Sequence, residues 1–243
     1  MTQQAIPLSK SAHADSKLKP TTNSNHLADQ ALVRLMPSEL PRAAHDFPIV
    51  FMRQDGGLFP AALLGLKPGV NQFVDKNGRW SASYMPALMQ CYPFSLAHKE
   101  KGRFVPMIDA AALSNTEGNA LYTESGELAD EPRVKISTVL QAVGQLGSAA
   151  KALASLEAMD LIIPWDISLT VNSEPVTLRG FFRADEQRMK SLSDAQVLTL
   201  WHSGALPMLY AHWFSLSRFS RLGAVLKLPA SDASKLQAPE AVQ

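Results

Sequence analysis

The spacing of apolar residues changes twice along this 243-residue chain, and this change constrains the fold more than any other feature. Short apolar runs separated by turns extend from residue 47 to residue 109 and predict strands. Residues 134–161 then place apolar side chains three and four positions apart, which predicts a long helix. A β-hairpin over residues 167–182 follows, because apolar residues alternate on both sides of a turn at 172–175. Strands first and helices later, with one hairpin between them, indicate an α+β fold.

The C-terminal part of the chain predicts a pair of buried helices. Ser193 and Gln196 form a capping box at the start of the first helix, and Gly204 suits its end. The second helix is predicted to run from residue 205 to about 226 and is apolar on most of its circumference. In the N-terminal half, strands are predicted at 48–53, 58–66 and 70–75, the last closed by a turn at Asn77-Gly78.

Composition divides the chain into one domain with loose ends. Hydrophobic residues make up 46% of the chain, enough for a sizeable core. Residues 1–30 are polar and predict a loosely ordered N-terminal arm, while residues 229–243 are rich in Ala, Ser and Pro and predict a disordered tail. Residues 31–228 are therefore expected to form a single α+β domain.

Charge and hydropathy limit the partners and the compartment. Lys and Arg (23) nearly balance Asp and Glu (22), so clustered phosphate contacts are not expected and nucleic acid is not a predicted partner. The apolar stretches are shorter than the roughly 20 residues that span a membrane. The start of the chain lacks the apolar region of a signal peptide, so a cytoplasmic protein is expected, with export by a signal-independent route left open.

Signatures of catalysis are absent from the sequence. There is no phosphate-binding glycine loop, no dinucleotide fingerprint, no nucleophile elbow and no HExxH motif. The single cysteine, Cys91, excludes an internal disulfide and a cysteine-based zinc site. These absences favour a non-catalytic binding or adaptor protein, with an enzyme or enzyme subunit as the alternative.

Two short His-x-acid patterns keep a metal-dependent alternative open. His13 with Asp15, and His98 with Glu100, each resemble two of the three ligands of a facial iron triad. The competing interpretation is that both pairs lie in solvated turns. No cofactor is predicted, and non-haem iron is the alternative.

A second set of candidates concerns acid–base chemistry. Asp185 and Glu186 follow a predicted strand and stand at the entry to a helix, where they either catalyse proton transfer, cap the helix or pair with Arg183. His212 is either a general base or a buried, hydrogen-bonded core residue.

The densest aromatic stretch supplies candidate binding residues. Such clustering lines ligand grooves and partner surfaces, although an ordinary core contains the same residue types. This stretch, called the aromatic block, contains Trp80, Tyr84, Tyr92 and Phe94. The predicted binding residues are these four together with Arg183, His202 and Tyr210.

One specific block of the chain reads Gly180-Phe-Phe-Arg-Ala-Asp-Glu186 and is followed by His202-Ser-Gly-Ala205 and by Tyr210 and His212. In this block, and over most of residues 7–226, the chain resembles the SapC-like family of bacterial proteins. The aromatic block departs from the family, because residues 85–91 lack the basic residues often found there. The resemblance implies an accessory role beside halogenase-like or hydroxylase-like enzymes, or a link to a surface layer. A protein partner is expected, and the oligomeric state stays open.

Overall fold

The computed structural model describes residues 4–54, 57–99 and 103–227. Over these residues the predicted α+β class is confirmed, because antiparallel sheets and helices occur together. The twelve strands described are β1 Ala5–Pro7, β2 Lys17–Leu18, β3 Leu32–Arg34, β4 Ile49–Gln54, β5 Gly57–Leu63, β6 Phe94–Lys99, β7 Arg103–Asp109, β8 Leu113–Ser114, β9 Asn119–Ala120, β10 Ile162–Val171, β11 Glu174–Ala184 and β12 Ala224–Lys227. The eight helices described are α1 Lys10–His13, α2 Leu40–Ala43, α3 Ala87–Gln90, α4 Asp130–Gly144, α5 Leu146–Ala158, α6 Glu186–Lys190, α7 Asp194–Ser203 and α8 Ala205–Ser215.

A six-stranded antiparallel sheet in the order β3–β5–β4–β11–β10–β12 forms the centre of the fold. The predicted hairpin is confirmed as β10–β11, and its turn residues Asn172 and Ser173 have φ values of 49° and 70°. Positive φ at both positions matches the twist that a two-residue hairpin turn requires. β11 meets β4 through one register pair, Phe182 with Phe51. The β10–β11 hairpin and the antiparallel pair β4–β5 are therefore joined over a short contact.

The main core lies between this sheet and the helices α5 and α8. Buried side chains from the sheet, including Phe51 and Ile167, meet Leu156 of α5 and Leu209 of α8. A second, smaller core lies under the sheet β1–β7–β6 and α4, where Leu18, Phe94, Ile108, Leu121 and Ile136 are buried together.

The N-terminal segment packs against the rest of the chain. For residues 4–30 the sequence predicts a loosely ordered arm, yet β1 pairs with β7, and β2 lies between β8 and β9. Leu18 and Leu27 are buried. These long-range strand pairings order a segment whose own composition is polar. The tail at 229–243 lies outside the described residues.

The predicted long helix over 134–161 is wrong in its continuity, because two helices occupy this region. The break lies at Gln145, whose N–H is shared between the carbonyls of Gln141 and Ala142. Gly144 and Gly147 flank the break and lower helix propensity there. Apart from their own helix and chain neighbours, no atom of the described residues lies within 4 Å of the position that a Cβ would occupy on either glycine, so no other described element approaches them closely.

The predicted pair of buried C-terminal helices is only partly correct. α7 buries Leu200 alone, and α8 buries one face. The second helix also ends at Ser215 and does not reach residue 226. A 3₁₀ segment, Leu216–Leu222, follows it directly. Gly223 then adopts a left-handed conformation with φ 69°, which turns the chain into β12 at the sheet edge.

The strand predicted at 70–75 is wrong as well. This segment forms turns around one isolated bridge between Val74 and Trp80. Asp75 causes this, because its Oδ1 accepts hydrogen bonds from the N–H groups of Asn77 and Arg79 and so closes a tight loop. The turn itself, with Gly78 at φ 75°, lies where the sequence predicts it.

Candidate functional site

The first half of the predicted aromatic block is half-buried and packs against the main core. The ring centroid of Trp80 lies 6.0 Å from that of Phe47 and 5.9 Å from that of Phe73. Its indole N–H donates to the carbonyl of Tyr84 at 3.0 Å. Trp80 is thereby fixed within the fold, as in the core interpretation of this stretch.

A buried acid, Glu39, holds the next aromatic residue in place. One carboxylate oxygen accepts from the N–H of Met36 at 2.7 Å. The other accepts from the hydroxyl of Tyr84 at 2.7 Å and from the N–H of Ala87 at 2.8 Å. Burial and then the bond to Glu39 raise the pKa of Tyr84 well above its ordinary value. Tyr84 is therefore a neutral hydrogen-bond donor that anchors the loop.

A second buried acid, Asp46, binds the same loop to the C-terminal part of the chain. It accepts from the hydroxyl of Ser83 and the N–H of Tyr84, both at 2.7 Å, and pairs with Arg221. Burial raises the pKa of Asp46, but these donors outweigh burial, and the pKa lies below its ordinary value. Asp46 is thus an ionised group whose partners belong to the fold.

The other half of the aromatic block belongs to the second core. Phe94 is buried, and Tyr92 stacks on His26 with ring centroids 3.8 Å apart. Burial, together with the nearby Asp109 carboxylate, raises the pKa of Tyr92. A cavity of about 190 Å³ adjoins Tyr92, Phe94 and Asp109. This volume is below the roughly 300 Å³ at which ligand pockets begin.

His212 is fully buried in the main core, where it connects strand β4 with strand β11. Its Nδ1 lies 2.8 Å from the carbonyl oxygen of Ile49 in β4, and its Nε2 accepts from the N–H of Ala184 in β11. Burial lowers the pKa of His212 to about 4, and the charge of Arg183 contributes in the same direction. A neutral imidazole that donates from Nδ1 and accepts at Nε2 fits both contacts.

Ser215, one turn after His212, reinforces the same junction. Its hydroxyl accepts from the N–H of Ile49 at 2.8 Å and donates to the carbonyl of His212 at 2.6 Å. Both side chains are fully buried. This geometry matches the interpretation of His212 as a hydrogen-bonded core residue.

The acidic pair after β11 supports local structure. Asp185 caps α6 by accepting from the N–H groups of Gln187 and Arg188. Glu186 pairs with Lys190 one turn later at 2.7 Å. The contacts of Asp185 correspond to the capping alternative, and the partner of Glu186 in its ion pair is Lys190.

The candidate metal ligands are not brought together in the described part of the chain. His13 is buried with its Nδ1 3.0 Å from the carbonyl oxygen of Ser9, whereas Asp15 is exposed. Among the described residues no three His, Cys, Asp or Glu side chains converge as a metal site would require. The side chain of His98 and the whole of Glu100 lie outside the described residues, so that pair stays a prediction.

The largest concentration of exposed apolar side chains lies on α7 and α8. Eight large hydrophobic residues are exposed in the described part of the chain, and four of them belong to these two helices. The exposed fractions are 57% for Leu198, 63% for Trp201, 45% for Tyr210 and 71% for Phe214. We call these four residues the α7–α8 surface. His202, beside Trp201, is exposed as well.

Helical spacing explains why these side chains point outward in pairs. Leu198 and Trp201 are three residues apart on α7, while Tyr210 and Phe214 are four apart on α8, with stacked rings 5.9 Å between centroids. The sequence predicts Tyr210 and His202 as binding residues, but Leu198, Trp201 and Phe214 are not among the predicted binding residues. The available signal was their position on a different helix face from the buried Leu200 and Leu209.

Fold and site define an α+β domain built on a six-stranded antiparallel sheet, with exposed aromatic side chains on its last two helices. The family model described as SapC matches residues 8–222, nearly the whole chain, and the protein therefore belongs to the SapC family. No curated protein and no solved structure matches the chain. None of the helices in the described ranges is long and apolar enough to cross a membrane.

Proposed function

We propose that this SapC-family protein is a non-catalytic adaptor that binds a protein partner through the α7–α8 surface. The observation that carries the proposal is the exposure of Trp201 and Phe214, at 63% and 71%. Exposed aromatic residues are enriched at protein interfaces, where they contribute much of the binding energy. Exposed large apolar groups on two successive helices mark a surface that another protein would cover.

The surroundings of the acid–base candidates support a binding role over a catalytic one. Asp185 is used as a helix cap, Glu186 as an ion-pair partner, and both nitrogens of His212 contact the backbone. A general acid or base needs to be within reach of a substrate proton. His212 is fully buried, which places it out of such reach.

The test measures binding to purified products of the genes that neighbour this one. The double variant Trp201→Ser/Phe214→Ser should weaken the complex at least about tenfold, because central aromatic residues dominate interface energies. The matched control is Val134→Ser/Leu140→Ser, which removes two exposed apolar side chains from α4. Light scattering gives the stoichiometry, and calorimetry gives the dissociation constant.

Two results would contradict the proposal. One is that none of the neighbouring gene products forms a complex with the wild-type protein. The other is a complex whose affinity is the same for the α7–α8 double variant and for the α4 control.

A further inference from the structure

A groove lies between α2 and α8, and α8 contributes two residues of the α7–α8 surface to it. Its volume is about 510 Å³, within the range of ligand pockets. Pro41 and Ala44 form one wall, and Tyr210 and Phe214 form the other. An inference about this groove rests on the proposed function, because the groove adjoins the surface that the partner would cover.

The polar lining of the groove is basic in type. Its two basic lining residues are His45 and Arg218, and the described lining contains no carboxylate. The Nε of Arg218 is buried and has no hydrogen-bond partner among the described residues. Arg221, one turn later in the same 3₁₀ segment, pairs with the buried Asp46. The fold thus pairs Arg221 with an acid, whereas Arg218, which lines the groove, has a buried Nε without a partner among the described residues.

An unused guanidinium donor in a buried position is unfavourable, because it has lost its water without gaining an acceptor. A carboxylate is the acceptor that best matches it, since the planar guanidinium binds both carboxylate oxygens through two parallel N–H groups. A turn of the Arg218 side chain toward the groove would present Nε and one terminal nitrogen together to such a carboxylate.

We propose that this groove receives a segment of the protein partner in which one carboxylate side chain stands among apolar side chains. The carboxylate binds the guanidinium of Arg218. The apolar side chains of the same segment pack on Tyr210 and Phe214, and His45 lies at the opposite wall. The groove thereby selects partners by one negative charge in an apolar setting.

The first experiment uses small probes on the full-length protein. Phenylpropanoate and its neutral amide have the same shape and differ only in charge. In NMR spectra of the arginine Nε–H groups, the carboxylate should shift the Arg218 signal and bind about tenfold more tightly than the amide. Arg218→Gln should abolish this preference, whereas Arg133→Gln, at an exposed position on α4, should retain it. Equal binding of the two probes, or a preference that survives Arg218→Gln, would overturn the inference.

The second experiment separates this inference from the proposed function. In the partner complex, Arg218→Gln should raise the dissociation constant about tenfold, and Arg218→Lys should recover part of the loss through its charge alone. If the complex forms and Arg218→Gln binds as tightly as Arg133→Gln, the groove inference fails while the adaptor function stands. If no complex forms although phenylpropanoate binds at Arg218, the adaptor function fails while the carboxylate site stands.

Discussion

The loop at residues 80–87 and the helices α7 and α8 contain the same kinds of aromatic residue in opposite environments. Trp80 and Tyr84 are half-buried against the main core, and their polar atoms are bonded to the Tyr84 carbonyl and to Glu39. Trp201 and Tyr210 are exposed at 63% and 45%. The comparison shows that aromatic density alone does not locate a binding surface. What separates the two regions is the presence of the buried acids Glu39 and Asp46 beside the loop.

The largest expected effect comes from removing one of these acids. Asp46→Ala leaves Ser83, the N–H of Tyr84 and Arg221 without their acceptor, so the free energy of unfolding should fall by about 4 kcal/mol. The control Asp166→Ala breaks an exposed contact with Arg179 and should cost less than about 1 kcal/mol. Urea unfolding measures both. A loss at Asp46 no larger than at Asp166 would show that this acid does not hold the loop.

His212 makes the stability of the sheet junction dependent on pH. The pKa of His212 is about 4 in the folded protein and about 6.5 when exposed, so between these values the unfolded chain binds more protons. Stability should therefore be complete above pH 6.5 and decline as the pH falls toward 4, by about 3 kcal/mol in total.

The measurement for His212 is the pH dependence of urea unfolding. His212→Gln should be less stable at neutral pH and should lose this part of the slope, whereas the exposed His202→Gln should keep it. A wild-type slope that is unchanged in His212→Gln would mean that another group titrates in this range.

Matched tryptophan substitutions sharpen the comparison of the two regions. Trp80→Ala opens a cavity beside Phe47 and Phe73 and should reduce the free energy of unfolding by about 3 kcal/mol. Trp201→Ala should change it by less than about 0.5 kcal/mol, because the side chain is exposed. Thermal and denaturant unfolding of both variants gives the difference. Equal losses of unfolding free energy in the two variants would contradict the distinction between the packed Trp80 and the exposed Trp201.

The smallest effects concern the acidic pair at α6. Asp185→Ala removes the N-cap and should reduce the free energy of unfolding by about 1 kcal/mol, whereas Asp185→Asn, which can still cap, should change it little. Glu186→Gln breaks one exposed ion pair and should cost less than about 0.5 kcal/mol. If the alanine and asparagine variants at 185 were equally unstable, capping would not be the role of this residue.

Local sequence patterns predict those parts of the fold that depend on local chemistry. The β10–β11 hairpin follows from alternation and turn residues, and the start and end of α7 follow from the Ser193 capping box and Gly204. The class of the fold is confirmed by the helices and antiparallel sheets, and the family is confirmed by the family model that matches residues 8–222.

Long-range contacts account for several of the predictions that are wrong, whereas the turn at Asp75 and the helix break at Gln145 have local causes. β12 forms because Gly223 turns the chain and because the edge of β10 is free to pair with it. The apolar spacing of residues 216–226 does not reveal this pairing with β10. Tyr84 is held against the core because Glu39 and Asp46, far earlier in the sequence, bind it in space. Which face of each helix points outward likewise depends on what packs on its other side, α5 for α7 and the sheet for α8.

The most direct test of the central claim is side-chain footprinting by hydroxyl radicals, with and without the protein partner. We expect Trp201, Tyr210 and Phe214 to be modified rapidly in the free protein and protected in the complex. Trp80 and Tyr84 should react slowly in both states, with no change on binding. Protection confined to residues 80–84, or an unchanged rate at Trp201 and Phe214 in the complex, would contradict the account.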